Sequence, residues 1–472
     1  MNINITNIMA CILTTYTASG LLFIPSFSNT QQRDTLSVSF YIKSKCLKAG
    51  VKIKFKNKSI GAKNYLWNFG DGTTSTVQNP SHIFNDFGFY QVSLTTTNEC
   101  GTISECTSIY INPATYNCSA LYDIQNDLII SGNIAWTSGT IKVKGDVYIP
   151  NNQSLNIANV TVQFAPRCRL IVGKGGRLVI KNAILDGIDD FMWQGIEVWG
   201  VTNLLSTDTT NQGQGRVYIK NGSTISNAYK GVLLGKRAYY GECHSFIVPV
   251  GCWDTQKSGG VIGATNSIFT GNGDDIRFTL KSNPDGSANI IDACYFTCPA
   301  NLKDAHYKLT YPNHYPSILN SWAGYANANQ RTDIGIVSVG LRKLKITNGT
   351  FRNLEYGIYT FDNLQTNVLN CKFSYHRQGI RVFNTVPTIL SSYDISGCTF
   401  DSIPGNTTGV ISAIDDGTAI YTSGSYGDNI HDGNKFFNYY PGTASTYGIK
   451  TNNASGFEII NNEFRYHTII QR

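Results

Sequence analysis

The sequence predicts an all-β protein, and three observations carry that prediction. Charged residues make up only 15% of the 472 residues, and 45 glycines are spread along the chain. Short stretches in which apolar and polar residues alternate, typical of half-buried strands, recur along the sequence. Apolar runs such as Leu178–Ile180 are too short to show a helical period. This composition is typical of an exported β protein rather than a helical cytosolic one.

Residues 1–28 predict an export signal. The segment is apolar from about Ile8 to Phe27 and carries no charged side chain, and we expect its removal near Ser28. A membrane anchor is the alternative, but the polar run Thr14–Thr17 argues against a membrane-spanning segment. No later apolar run is long enough to cross a bilayer, so we expect no membrane span in the mature chain.

Residues 36–114 predict a small β-sandwich. Tyr65, Trp67 and Phe69 occupy alternate positions of one strand, which places three aromatic rings on a single buried face. Gly70–Gly72 follows directly and predicts a tight turn, because glycine adopts positive φ without steric cost. Upstream, Val51, Ile53 and Phe55 alternate with lysines, which predicts a strand with one face in the core and one in water.

The same stretch resembles the PKD domain, the polycystic-kidney-disease repeat. The residues that carry the resemblance are Trp67–Gly72, Asn79–Pro80, His82, Phe84 and Gly88–Val92. The family usually has Asp and Tyr where this chain has Asn68 and Phe84. The resemblance implies an immunoglobulin-like sandwich that serves as a spacer or interaction module on extracellular proteins, with no catalytic residues.

The remaining 115–472 segment contains an internal repeat. Phe351, Phe373, Phe400 and Phe436 each precede a turn and then Gly-Ile or Gly-Val, at intervals that begin with 22 and 27 residues. A period in the twenties with Asn/Gly turns predicts a solenoid. The segment resembles a right-handed parallel β-helix, and its opening coils resemble those of exported proteins from Bacteroidetes-type bacteria. The repeat is unfinished at the end of the sequence, and because solenoid ends need a polar cap we expect the natural chain to continue.

Two segments, 236–258 and 303–333, interrupt the repeat and are rich in tyrosine and tryptophan. We expect them to project as loops on one side of the solenoid and to form a binding surface, because flat semi-polar rings stack on sugars. Packing within the loops is the alternative role for each ring. The predicted contact residues are Tyr239, Tyr240, Trp253, Tyr307, Tyr311 and Trp322.

The twelve cysteines suit an oxidising compartment. A small buried thiol is the alternative role for each one. No C-x₂-C pair has a partner and the seven histidines are scattered, so no metal site and no cofactor is predicted, and structural calcium is not indicated. The predicted disulfides are Cys46–Cys100, Cys243–Cys252 and Cys294–Cys298.

Catalytic residues are not identified by the sequence. Three adjacent carboxylate pairs occur, and each is expected to cap a turn, because neighbouring residues of a strand point to opposite faces. The stretch around the second pair resembles part of the polygalacturonase motif, but the other motifs of that family are missing. The pairs are Asp189–Asp190, Asp274–Asp275 and Asp415–Asp416.

Two functional hypotheses follow. The first is a non-catalytic, monomeric, secreted or cell-surface protein that binds extracellular polysaccharide or a cell-surface protein. The alternative is a polysaccharide lyase or glycoside hydrolase of β-helix fold. Nucleic-acid binding is not expected: the eight lysines from Lys43 to Lys63 largely alternate with apolar residues, as on a protected sheet edge.

Overall fold

The computed structural model divides the chain into two units, Met1–Ala120 and Leu121–Arg472. Among the residues that it describes there are strands and turns but no helix. No part of that region contains a helix long and apolar enough to cross a membrane. The described residues are 36–465 without 45, 100, 113, 117–121, 167, 190, 202–212, 237–258, 280–288, 299–331, 377, 385–391, 402–417, 428, 438–446 and 454.

The first unit is an antiparallel β-sandwich. One sheet has the order β1-β2-β5 and the other the order β4-β3-β6-β7. The strands are β1 (Phe40–Ile42), β2 (Lys52–Asn57), β3 (Asn64–Asn68), β4 (Thr74–Ser75), β5 (Ser81–Ile83), β6 (Gly88–Asn98) and β7 (Gly101–Ile111). The predicted alternation is confirmed for Ile53 and Phe55, which are buried between exposed lysines, and for Trp67 and Phe69, which lie in the core. Val51, before β2, is instead 41% exposed. Tyr65 is half-buried at the edge of the core.

The second unit is a right-handed parallel β-helix in which every coil contributes one strand to each of three sheets. We call these sheets X, Y and Z, in the order in which a coil passes through them. Sheet X contains β8 (Leu128–Ile129), β11 (Val147–Ile149), β14 (Arg169–Val172), β17 (Trp193–Val198), β20 (Ala228–Leu234), β23 (Asp274–Phe278), β26 (Thr332–Val339), β29 (Leu354–Phe361), β32 (Gln378–Phe383), β35 (Thr418–Ser423) and β38 (Tyr447–Asn452).

Sheets Y and Z have the same parallel order. Sheet Y contains β9 (Asn133–Trp136), β12 (Ser154–Ala158), β15 (Arg177–Lys181), β18 (Arg216–Lys220), β21 (Val261–Thr265), β24 (Ile290–Asp292), β27 (Lys343–Thr347), β30 (Gln365–Leu369), β33 (Ser392–Ser396), β36 (Asn429–His431) and β39 (Glu458–Ile460). Sheet Z contains β10 (Thr140–Val143), β13 (Thr161–Phe164), β16 (Ile184–Gly187), β19 (Thr224–Ser226), β22 (Ile268–Thr270), β25 (Tyr295–Thr297), β28 (Thr350–Arg352), β31 (Lys372–Ser374), β34 (Thr399–Asp401), β37 (Lys435–Phe437) and β40 (Glu463–Phe464).

A ladder of phenylalanines on the inner face of sheet Z confirms the predicted repeat. Successive rings are stacked with centroids 4.5 to 5.1 Å apart and planes within 11° of parallel. This spacing is close to the distance between neighbouring strands, so one ring per coil fills the core without a gap. The ladder consists of Phe269, Phe296, Phe351, Phe373, Phe400, Phe436 and Phe464.

The turns from sheet Y to sheet Z are short in every coil that is described. Most contain an asparagine at positive φ, such as Asn159 at 56° and Asn182 at 45°. Asparagine tolerates this conformation because its short polar side chain bonds locally. The amides also bond between coils, since Asn182 Nδ2 donates to Asn159 Oδ1 at 2.9 Å. The repeated turn therefore keeps sheets Y and Z in register.

Cys46 takes part in a disulfide bond, and its partner lies outside the described residues. The predicted partner, Cys100, is outside them as well, as are Cys243 and Cys252. The third predicted bridge is wrong: Cys294 and Cys298 are separate buried thiols at the two ends of β25, a strand rather than a loop. Burial raises the pKa of Cys294 to about 12, which makes that thiol unreactive.

We predict that Phe373→Ala lowers the free energy of unfolding by about 3–5 kcal/mol, because it opens a cavity between two stacked rings. Phe437→Ala is the matched control, since that ring lies half-buried on the outer face of the same sheet and should cost about 1 kcal/mol. Denaturant titration measures both. Equal losses in the two variants would contradict the ladder as the main source of core stability.

We predict that the disulfide partner of Cys46 is Cys118 rather than Cys100. Leu47 O accepts the backbone NH of Asn112, and Lys48 Nζ donates to Tyr116 O, so this end of the sandwich adjoins the chain before Cys118. The connection from β6 to β7 lies at the other end of β7, whose 11 residues span about 35 Å. Peptide mapping without reduction should yield a Cys46–Cys118 linked peptide, and a Cys46–Cys100 peptide would restore the original pairing.

Candidate functional site

The outer face of sheet X is the best candidate for a functional surface, because long insertions border it on both sides. Four segments follow a strand of sheet X directly, and three precede one, whereas the described turns from sheet Y to sheet Z remain short. Loops on a rigid scaffold are where binding usually occurs. The following segments are 202–212, 237–258, 280–288 and 385–391; the preceding ones are 299–331, 402–417 and 438–446.

Three charged side chains form an ion cluster on this face. Lys230 lies on β20 and pairs in register with Asp274 on β23. Lys230 Nζ lies 2.8 Å from Asp274 Oδ2, and Arg277 Nε donates to the same oxygen at 2.5 Å. The Asp274 side chain is 1% exposed and the two cations are 8% exposed each. Burial of charge at this level is tolerated only because the groups neutralise one another.

The cluster keeps Asp274 ionised. Burial by itself would raise the pKa of this carboxyl group, but the charges and hydrogen bonds of Arg277 and Lys230 outweigh burial and lower the pKa to about 2. Asp274 is therefore an acceptor and a charge partner at neutral pH rather than a proton donor.

The neighbouring carboxyl group, Asp275, has the opposite character. It is fully buried and faces the interior of the coil, where Asn272 Nδ2 donates to its Oδ1 at 2.8 Å. Burial raises the pKa of Asp275 well above its ordinary value of 3.8, and the nearby charge of Asp274 adds to the increase. Burial thus favours the protonated form of Asp275, whose side chain is closed off from any ligand on the outer face.

A second ion cluster lies nearer the start of the solenoid. Arg169 Nη2 donates to Asp146 Oδ2 at 2.5 Å, and Arg169 Nη1 lies 3.6 Å from Glu197 Oε1. Glu197 Oε2 accepts the indole NH of Trp199 at 3.1 Å, and Lys236 Nζ lies 5.1 Å from the centre of that indole ring. The described carboxylates on this part of sheet X are thus held by cations or by a ring NH.

Further along the face, one arginine is surrounded by tyrosines, an arrangement that we call the arginine–tyrosine cluster. The guanidinium of Arg381 lies 5.8, 5.3 and 5.2 Å from the ring centres of Tyr356, Tyr359 and Tyr421. Lys450 Nζ lies 5.9 Å from the Tyr421 ring. Cations over tyrosine faces at this distance are attractive, and more so when water is partly excluded.

A glycine lies inside this cluster. In β29 a Cβ atom at Gly357 would lie 2.6 Å from Gly379 O and 2.8 Å from Phe373 Cδ1. Tyr356 and Tyr359 stack with ring centres 5.1 Å apart and are only 6% and 7% exposed, while Ile358 is fully buried. Aligning the Gly-Ile repeat could have identified the arginine–tyrosine cluster from sequence, whereas the ion clusters join strands too far apart in the chain to be paired that way.

The residues predicted from sequence for ligand contact are not among those that the structure describes. Tyr239, Tyr240, Trp253, Tyr307, Tyr311 and Trp322 all lie outside the described residues. The described flanks of both segments do belong to sheet X, since β20 precedes one of them and β26 follows the other.

The carboxylate pairs have different outcomes. The turn predicted at Asp274–Asp275 is wrong: both residues lie in β23 and face opposite sides. Just before this strand, the Asn272 side chain accepts Ala228 NH and donates to Ile225 O, which ties the chain to the preceding coil. Asp189 has a positive φ of 49°, whereas Asp190 and Asp415–Asp416 lie outside the described residues.

Comparisons with known proteins address the two units separately. A model of the PKD domain family matches residues 44–112. Collagenase ColA of Bacillus cereus is 34% identical over 103 residues, and the match covers 20% of this chain and only 10% of the collagenase. The PKD1 domain of the Vibrio cholerae metalloprotease PrtV is 28% identical, with 16% of this chain and 96% of that domain covered and a TM-score of 0.15. A family 28 exopolygalacturonase of Yersinia enterocolitica is 8% identical, with 92% and 99% covered and a TM-score of 0.22.

The fold thus defines an all-β protein of two units that fits an extracellular setting. Residues 44–112 are a PKD domain, and the unit after it is a right-handed parallel β-helix. Within the described part of the chain, no group of three or more His, Cys, Asp or Glu side chains is arranged to hold a metal ion.

We predict opposite effects for substitutions of the two adjacent aspartates. Asp274→Asn should destabilise the protein at pH 7 by about 3–5 kcal/mol, because two buried cations lose their partner. Because the folded-state pKa of Asp274 is depressed, its stabilising effect in the wild type is present above about pH 4 and is lost as the pH falls toward 2. Asp275→Asn should instead stabilise the protein at pH 7, because keeping that carboxyl group protonated costs free energy above its unfolded-state pKa.

Urea unfolding at pH 4, 5.5 and 7 measures both effects. The advantage of Asp275→Asn should shrink from pH 7 to pH 4, because the unfolded carboxyl group also becomes protonated there. Loss of stability in Asp275→Asn at pH 7, or a pH-independent gain, would show that the buried group is not held neutral.

Proposed function

We propose that the protein is a non-catalytic secreted or cell-surface protein whose PKD domain acts as a spacer and whose β-helix binds extracellular polysaccharide or a cell-surface protein. The observation that carries the proposal is the arginine–tyrosine cluster on the outer face of sheet X, on the side where the long segments attach. Arginine and tyrosine are enriched where proteins bind partners, because both offer large flat surfaces with polar edges.

The cluster suits sugar recognition in particular. Arg381 is half-buried, and its guanidinium has donors that suit sugar hydroxyls. Tyr356, Tyr359 and Tyr421 are only 6–7% exposed, so they serve mainly to hold the guanidinium in one arrangement that a ligand then meets already ordered. The predicted contacts Trp253, Tyr307, Tyr311 and Trp322 extend this proposal to the two aromatic segments.

The described carboxyl groups of sheet X favour binding over hydrolysis. Glycoside hydrolysis usually requires two carboxyl groups that flank the sugar bond, one of them protonated at working pH. Asp274 is held ionised by two cations, and the neutral acid Asp275 faces the core. The alternative, a lyase or hydrolase, would need acid–base groups other than these two.

The test compares two arginines that each lie over tyrosine. Arg381→Gln removes the centre of the cluster, whereas Arg352→Gln removes the guanidinium that lies 5.4 Å from the Tyr375 ring on sheet Z. On an array of neutral and acidic glycans, we expect Arg381→Gln to weaken binding roughly 5- to 30-fold, because a partly desolvated cation–π contact is lost. Arg352→Gln should bind like the wild type, and both variants must keep its melting temperature.

Two further measurements complete the test. The Trp253→Ala/Trp322→Ala double variant probes the aromatic segments in the same array, and equal binding would remove them from the proposal. Release of reducing sugar or of unsaturated product from any glycan of the panel would favour the enzymatic alternative. Equal binding by Arg381→Gln and Arg352→Gln would exclude the arginine–tyrosine cluster as the site.

A further inference from the structure

A groove on sheet Y is separate from the surface proposed above. It has a volume of about 430 Å³ and lies between β24 and β27. The groove lies beside the first residues of β27; β24 has three residues, whereas β21 and β27 have five each. The lining residues are Asn289, Ile290, Ile291, Asp292, Lys343, Lys345 and Thr347.

The floor of the groove continues across sheet Y as a flat strip. Tyr218, Gly263 and Ile290 are paired in register on successive strands. Lys345 continues this row on β27, because Ile291 pairs with Ile346 and the residue before each of them lies at the same level. The Tyr218 ring lies close over Gly263, since a Cβ atom at that glycine would be 2.9 Å from Tyr218 Cδ1. Ile290 is 54% exposed, although it is a large apolar side chain.

Positive charge surrounds this strip. Arg177 lies at one end with its guanidinium 5.3 Å from the Tyr218 ring centre, and Lys343 and Lys345 stand exposed at the other end. The acidic residue lining the groove is Asp292, and its Oδ1 accepts hydrogen bonds from Thr347 Oγ1 and Asn348 Nδ2. The cations of the outer face of β15, β18 and β27 are Arg177, Lys181, Arg216, Lys220, Lys343 and Lys345.

We propose that the strip is a binding site for an acidic polysaccharide whose sugars carry carboxylate or sulfate groups. The chain would lie across the strands, with ring faces on Tyr218, Gly263 and Ile290 and with its acidic groups on the flanking lysines and arginines. From Tyr218 to Lys345 there are three strand spacings, about 14 Å, which is enough for a short run of sugar rings. The site does not depend on the proposal for sheet X, because the two surfaces share no residue.

The surface fits a polysaccharide better than a nucleic acid. Non-specific single-strand binding uses several aromatic platforms on which successive bases stack. Here the floor has one ring, followed by a glycine and an aliphatic side chain, which suits the mixed apolar and hydroxylated faces of sugars. Asn289 Oδ1 accepts the backbone NH of Ile262 and Thr347 Oγ1 donates to Asp292, so Lys343 and Lys345 are the polar groups that would orient a ligand here.

The test removes two charges from the groove and two from elsewhere. Lys343→Gln/Lys345→Gln changes the groove, and Lys372→Gln/Lys435→Gln removes the same charge from exposed positions of sheet Z. Affinity electrophoresis in polygalacturonate, dextran sulfate and neutral dextran measures binding, and a short single-stranded DNA is the competitor. We expect the affinity of the groove variant for acidic polymers to fall by up to about fivefold, because each exposed ionic contact contributes modestly. The affinity of the control variant should stay within about twofold of wild type.

A footprinting experiment locates the ligand independently. Acetylation of Lys343 and Lys345 should be slowed by the acidic polymer that binds, whereas acetylation of Lys372 and Lys435 should not change. The two polymers distinguish a carboxylate ligand from a sulfate ligand. Four outcomes would each overturn the proposal. These are equal weakening of binding in both double variants, equal retardation of the protein by neutral dextran, no retardation by any polymer, and complete displacement of the polymer by DNA. Lys343→Gln/Lys345→Gln should bind neutral glycans on the array as the wild type does, which separates this site from that on sheet X.

Discussion

The parallel register between coils is the constraint on which the rest of the β-helix depends. Each strand pairs with the equivalent strand of the next coil, so a residue type that fits the core at one level must fit it at every level. The phenylalanine ladder and the asparagine turns both meet this requirement. The ladder fills the core at the same position of successive coils, and the asparagine turns end the strands of sheet Y at the same position. Insertions at that turn would break both, so length varies at the turns that border sheet X.

That division of roles explains why polar chemistry is concentrated on sheet X. Side chains beneath long insertions lose contact with water, and a buried charge persists only with a partner. Lys230 and Arg277 neutralise Asp274 from the outside, while one residue away Asp275 enters the core and stays protonated. Two chemically identical neighbours thus acquire opposite states because strand geometry points them to opposite faces.

Much of the fold could be predicted from sequence, since its signals are local and repeated. The alternation around Trp67 identifies the sandwich, and the spacing of Phe351, Phe373 and Phe400 identifies the solenoid core. The ion clusters could not be predicted in the same way. Lys230 and Asp274 are 44 residues apart and meet only because a long insertion between them leaves the register unchanged. Asp274–Asp275 was predicted as a turn, but both residues lie in β23, after Asn272 has bonded the preceding coil.

Sheets X and Y differ in how their charges are satisfied, and this difference governs the kind of recognition that each face can support. On sheet X the ions are paired and largely buried, so a ligand would gain little from long-range attraction and would depend on contact with ordered rings and donors. On sheet Y the lysines and arginines are mostly exposed, and the neighbouring Asp292 is engaged by Thr347 and Asn348. An exposed charge acts at a distance and is screened by salt. One solenoid therefore offers a contact surface and an electrostatic surface at once, because register fixes the backbone and leaves the outward side chains of each sheet free to differ.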